Sequence, residues 1–220
     1  MSTERLLPLD VLPGAVGEAV DHLPYWFVIG GQAVRCLCPY RPSRDVDFGV
    51  RRAEHLPDLV AQLEAEGEVE MLERTADTAH LIWDGIRVSI FVLDRLAPHT
   101  EERRLTVRGI LATKMHAIID RGTRRDFFDL YVVLQSQRMG IADALSALRE
   151  VYRQGVGDGL LLRALTYFVD AEREAPLVGE GDSDWQTIKK FFQKQVGTLL
   201  VPPMAPLEIQ SRRVDVRERN

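Results

Sequence analysis

Apolar positions follow two rhythms along this chain. In the first half they recur every second residue: Val46, Phe48 and Val50 alternate with Asp45, Asp47 and Gly49, and Ile86, Val88, Ile90 and Val92 alternate with Arg87, Ser89 and Phe91. A period of two belongs to a strand with one buried face. Residues 25–29, 43–50, 68–74, 78–83 and 86–93 therefore read as strands, with Asp84-Gly85 as a two-residue hairpin turn. The run YWFVI at 25–29 stops at Gly30-Gly31 and leads into QAVRCLC, which predicts a strand, a tight glycine turn and a short helix. Residues 54–66 read as a surface helix. From about Arg108 the period becomes helical, over 108–120, 124–137, 140–154, 159–173 and 184–199, before a proline-bearing end. Strands early and helices late predict an α+β fold, divided into a core at 1–107, a helical region at 108–200 and an extended tail at 201–220.

Composition narrows the function classes. A chain of 220 residues with 45% hydrophobic and 28% charged residues is long enough for one sizeable core. No apolar run approaches the roughly 18 residues that cross a bilayer, and MSTERLLPLD lacks the features of a secretory leader, so a cytoplasmic protein without a membrane span is expected. A net charge of -5 argues against a protein that coats nucleic acid, although it leaves room for a local basic groove. Cys36 and Cys38 read as buried thiols of a reducing compartment. The 28 basic residues comprise 24 arginines and 4 lysines, and Lys114 is the sole lysine before position 189.

Two groups of residues carry chemistry. Gly30 and Gly31 end a strand and open a helix, so unpaired backbone N–H groups there could cradle a triphosphate, or the glycines could serve sterics alone. Asp45 and Asp47 project the same way, two rises of roughly 3.3 Å apart. Such a pair can grip Mg²⁺ that also binds phosphate oxygens; otherwise it only solvates a strand face. In the second group, Lys114 and Arg121 border the apolar stripe of one helix. Gly122 reads as that helix's stop and Thr123 as the N-cap of the next, which offers Asp126 a capping role. Against this, the following FFDLYVVL is apolar almost all round, so Asp126 and Asp129 should be buried beside a cation or a site.

Gly-Gly, a short helix, and then Arg41, Ser43, Asp45, Asp47 and Phe48 in the order Arg-x-Ser-x-Asp-x-Asp-Phe resemble the polymerase-β-like nucleotidyltransferases. The arginine-serine lead-in, with Lys114, Arg121, Arg125-Asp126 and Asp129-Leu130 following, resembles the AbiEii/AbiGii-type toxins of type IV toxin-antitoxin systems. The likeness spans about residues 25–135 and implies a minimal mixed sheet with flanking helices, whose site the helical half completes. It implies Asp45 and Asp47 as catalytic metal ligands for Mg²⁺, and Gly30, Gly31, Ser43 and Arg44 as nucleotide-binding residues. It also implies that Lys114 contacts the phosphates, that Asp126 is a further catalytic carboxylate, and that Arg121 and Asp129 support the nucleotide site. The reaction so implied transfers NMP from an NTP to an acceptor hydroxyl, with a tRNA 3′ end as known acceptor and a separately encoded antitoxin as partner.

The sequence departs from the superfamily at one point. Ser89 stands where many members carry a third carboxylate, so either Asp126 takes over as proton acceptor or the site is impaired. Two rival readings stay open: an antibiotic-type enzyme acting on a small molecule in a closed pocket, and a nucleotide-binding or interaction module without catalysis.

Overall fold

The computed structural model describes residues 5–43, 45–153 and 157–200. Two short helices, α1 (Pro8–Val11) and α2 (Gly14–Val20), precede β1 (Trp26–Val28), α3 (Gly30–Leu37), β2 (Val46–Val50) and α4 (His55–Glu66). The strands β3 (Val69–Arg74), β4 (Thr78–Trp83) and β5 (Ile86–Val92) follow, then a small hairpin of β6 (Thr100–Glu101) and β7 (Arg104–Leu105). The remaining helices are α5 (Val107–Asp120), α6 (Arg124–Gln137), α7 (Ile141–Tyr152), α8 (Asp158–Ala164), α9 (Val169–Arg173) and α10 (Asp184–Leu200). The strands form one mixed sheet in the order β3-β4-β5-β2-β1-β7-β6, with β2 parallel to β5 and antiparallel to β1.

Each face of the sheet supports its own core. Val46, Phe48, Val50, Ala79, Leu81, Val88 and Ile90 turn towards α1, α2 and α4, where Leu56, Leu59 and Leu63 cover them. Phe27 projects to the other face and joins the apolar residues of α3 and α5–α10. It lies over Gly49, where an added Cβ would sit 2.4 Å from the Phe27 ring, so the glycine makes room for the helical half.

The α+β reading and the helical second half stand. The Asp84-Gly85 turn is also as expected: both residues have positive φ, 45° and 79°, which a two-residue hairpin with right-handed strand twist requires. Other boundaries shift. The helix after β1 begins at Gly30 itself, and Asp45 falls one residue before β2. The single helix expected over 159–173 is two, because the Thr166 hydroxyl donates to the carbonyls of Leu162 and Arg163 where the ladder would continue. Nothing in the periodicity announced α1 and α2, which are short and, for α2, glycine-bearing; burial of Val11, Val16 and Val20 holds them. The tail at 201–220 and Arg44 lie outside the described residues.

Candidate active site

The glycine turn and the Asp pair meet. Ile29 donates its N–H to the Asp47 carbonyl, which presses the end of β1 against β2. Gly30 then opens α3 with φ +58°, and a Cβ on it would lie 2.4 Å from Asp47 Oδ2. A Cβ on Gly31 would lie 2.8 Å from Ser43 Oγ. Both glycines are thus needed for the motif to pack, whatever ligand also approaches. Gln32, fully buried one residue on, spans the loop by donating through Nε2 to the carbonyls of Ser43 and Asp45 at 3.4 and 3.2 Å. Sequence reasoning passed over Gln32, since a lone glutamine on a short helix carries no spacing signal.

Cations converge on the pair from the helical half. Arg125 Nη1 lies 3.8 Å from Asp45 Oδ2. Burial pushes the Asp47 carboxyl up, and Lys114 and Arg125 pull against that rise while Asp45 adds to it. A buried carboxylate with a second acid near it favours an added cation. The hard oxygens of the two suit Mg²⁺. Among the described residues no group of three or more His, Cys, Asp or Glu could hold a metal ion.

Asp126 is buried beside cations, as its apolar surroundings led one to expect, whereas Lys114 sits deeper than expected. Lys114 is buried, not on the rim: Nζ sits 2.7 Å from Asp129 Oδ2 and 3.4 Å from Asp126 Oδ1. Asp129 also accepts from the Tyr40 hydroxyl at 2.5 Å and from Arg41 Nη2 at 2.8 Å, so the loop before β2 is clasped to α6. Tyr40 was invisible as a partner because its contact lies far along the chain. Asp126 accepts from Arg121 Nε at 2.8 Å and from the Thr123 hydroxyl at 2.5 Å, while the Thr123 side chain in turn accepts from the Asp126 N–H at 3.4 Å. Burial would raise the Asp126 carboxyl, but the Arg121 guanidinium, Lys114 and the Thr123 hydroxyl together hold it well below the usual carboxylate range. A carboxylate so held is a poor proton acceptor, and the expectation that Asp126 replaces the missing acid as a base gives way to that of an anchor for Lys114 and Arg121.

Ser89 lies in direct register with Asp47 on the adjoining parallel strand, and His80 in register with Ser89 on β4. Ser89 Oγ and His80 Nδ1 are 3.0 Å apart. Two clefts adjoin the site. One, of about 390 Å³, is lined by Arg41, Ser43, Asp45, Arg125, Leu177 and Val178. The other, of about 340 Å³, lies along Arg121, Gly122, Arg163 and Tyr167.

A mixed sheet that sets two carboxylates beside a glycine turn, with a helical half bringing cations to them, is a nucleotidyltransferase architecture, and a candidate nucleotidyltransferase from H. pylori shares it at 17% identity and a TM-score of 0.54, over 85% of this chain and 92% of that one. The chain belongs to the AbiEii family, the nucleotidyl transferase toxins of type IV toxin-antitoxin systems, whose pattern it matches over residues 17–202. It is also 23% identical over 180 residues to the uncharacterized protein aq_aa25 of Aquifex aeolicus strain VF5, covering 78% of this chain and 86% of that protein. The antibiotic-resistance factor ANT(2'')-Ia overlays more loosely, at 12% identity and a TM-score of 0.49 over 64% of this chain and 88% of that one. Among the described residues no helix is long and apolar enough to cross a membrane.

Proposed function

We propose that this nucleotidyltransferase moves a nucleoside monophosphate from an NTP to the 3′ hydroxyl of an RNA, a tRNA end being the acceptor that its family suggests, and that a separately encoded antitoxin counters it. The observation that carries the reading is the seating of Asp45 and Asp47 against the Gly30–Gly31 turn, with Lys114, Arg121 and Arg125 around them. Asp45 and Asp47 would hold Mg²⁺, which would supply positive charge against the negative charge of the leaving phosphates.

The residues divide the remaining work. The N–H groups that open α3 have no side-chain cap, so they can bind triphosphate oxygens. Lys114, fixed by Asp126 and Asp129, supplies a positive charge that needs no reorganisation when phosphate arrives. Arg125 holds Asp45, and Arg121 presents its half-exposed guanidinium at the second cleft. Arg41 and Arg125 beside Asp45 in one cleft, and Arg121 and Arg163 beside Asp120 and Asp170 in the other, give a polyanionic acceptor cationic groups to meet.

The test is to incubate the purified protein with each α-labelled NTP, Mg²⁺ and total RNA, and in parallel with a panel of small hydroxyl acceptors. Label should enter the RNA 3′ end, and Asp45→Ala and Asp47→Ala should lower incorporation at least about a hundredfold. Label in the small acceptors alone would overturn the RNA assignment, and no label from any NTP would overturn the reading as a whole.

A further inference from the structure

We infer that Ser89 and His80 form the route by which the acceptor hydroxyl loses its proton, an inference that rests on the transferase reading above. The attacking oxygen must give up a proton, and the nearby carboxylates are otherwise engaged. Asp126 is bonded to Arg121, Thr123 and Lys114, and Asp129 to Lys114, Arg41 and Tyr40. Asp45 and Asp47 would be spent on Mg²⁺.

The register of the sheet offers a different group. Residues paired directly across neighbouring strands point to the same face. Asp47 on β2, Ser89 on β5 and His80 on β4 are such a row, with strands about 4.8 Å apart. Ser89 therefore borders Asp47, and His80 lies one strand further out. The 3.0 Å separation of Ser89 Oγ and His80 Nδ1 is a hydrogen bond, and the imidazole is held by an edge contact to Phe91 at 5.5 Å and 77°. Ser89 and His80 are both half-buried, so this face is reachable by a substrate.

A serine alone is a weak base, whereas a serine bonded to imidazole can pass a proton on. With His80 neutral and Nδ1 as acceptor, the acceptor hydroxyl gives its proton to Ser89 Oγ as Ser89 gives its own to Nδ1. The acceptor oxygen bonds to the α-phosphorus, the bond from that phosphorus to the bridging oxygen breaks, and pyrophosphate leaves with its electron pair. His80 then returns the proton to solvent, and Ser89 ends as it began. The ionisable groups that share this face are Asp45 before β2, Asp47 on β2, Arg87 on β5, and Glu70 and Glu73 on β3, with Arg125 of α6 near Asp45; α4 covers the opposite face of β4.

The experiment measures single-turnover transfer from pH 5 to 8, roughly the range in which imidazole changes charge, for the wild-type protein and for His80→Gln, Ser89→Ala, Ser89→Thr and the His80→Gln/Ser89→Ala double variant. Calorimetry with a non-hydrolysable NTP and Mg²⁺ runs alongside. The wild-type rate should fall on the acid side. His80→Gln and Ser89→Ala should each lower the rate about a hundredfold, flatten that fall and leave analogue binding intact, the double variant should add little, and Ser89→Thr should recover most activity. Rates near wild type, an unchanged pH profile despite a lower rate, or additive losses would each overturn the inference while leaving the transferase reading in place. A wild-type protein that labels no acceptor would sink both.

Discussion

Asp126 shows how much of a residue's role lies in partners that its own neighbourhood in the sequence does not name. Its spacing from Thr123 was readable as a cap, and the apolar run around it as burial. That Arg121 and Lys114 both turn to it was not, because it depends on how α5 and α6 cross. Removing one member of a buried ion pair leaves a charge uncompensated, typically at a cost of about 3–5 kcal/mol. Asp126→Asn keeps the shape and the Thr123 contact, so its loss at neutral pH should approach the lower end, about 3 kcal/mol, measured by urea melts. Transfer should fall with it, since Lys114 would lose an anchor. The sign of the pH dependence follows from the lowered carboxyl: its stabilisation is complete above the unfolded value near 3.9 and is lost as pH drops from there towards the depressed folded value. The gap between wild type and variant should therefore be constant around neutrality and narrow below about pH 4. A gap unchanged down to pH 2 would refute the ion-pair account. The strand that brings Asp45 and Asp47 forward was legible through alternation, whereas the burial of Lys114 between Asp126 and Asp129 was not. The Ser89–His80 bond was not, since cross-strand register is set by the whole sheet.

Elements with a long, steady period were the ones the sequence disclosed: α4 to α7, α10 and the central strands. Short pieces escaped it. The β6–β7 hairpin turns on Glu102 and Arg103, both at positive φ, where no Asn-Gly or Asp-Gly pair marks the bend. Arg103 holds that turn by stacking over Trp26 at 4.6 Å and pairing with Asp21. The glycine turn after β1 was legible as a turn, but its tightness came only with the fold. Gly30→Ala would place a methyl 2.4 Å from Asp47 Oδ2 at a φ of +58°, so the carboxylate must swing away. We expect a loss of about 1 kcal/mol from the backbone alone and a fall in transfer of at least tenfold, about 1.4 kcal/mol in the barrier, through displacement of Asp47. Asp47 in a crystal structure of the variant should be rotated from its place in the parent. Wild-type turnover in Gly30→Ala would show that Asp47 need not sit there.

At the scale of the molecule, the division expected at residue 107 separates periodicities but not cores. Phe27, Ala33, Val34 and Leu37 from the first part pack in the same cluster as Leu111, Met115, Phe127 and Leu130 from the second. A protein cut after residue 107 should be insoluble or molten, with strong binding of a hydrophobic dye, while the intact chain should melt in one transition seen alike by near-UV and far-UV circular dichroism. A soluble fragment with a cooperative melt would restore the two-part view. The clasp from Tyr40 and Arg41 to Asp129, and on through Lys114, also has a bearing on synthesis. The segment that carries Asp45 and Asp47 leaves the ribosome long before Asp126 and Asp129, so a nascent chain holds these two acids before the residues that fix Lys114. A chain that ends before Asp126 would lack the carboxylates that fix Lys114, and it should transfer no label in the NTP assay.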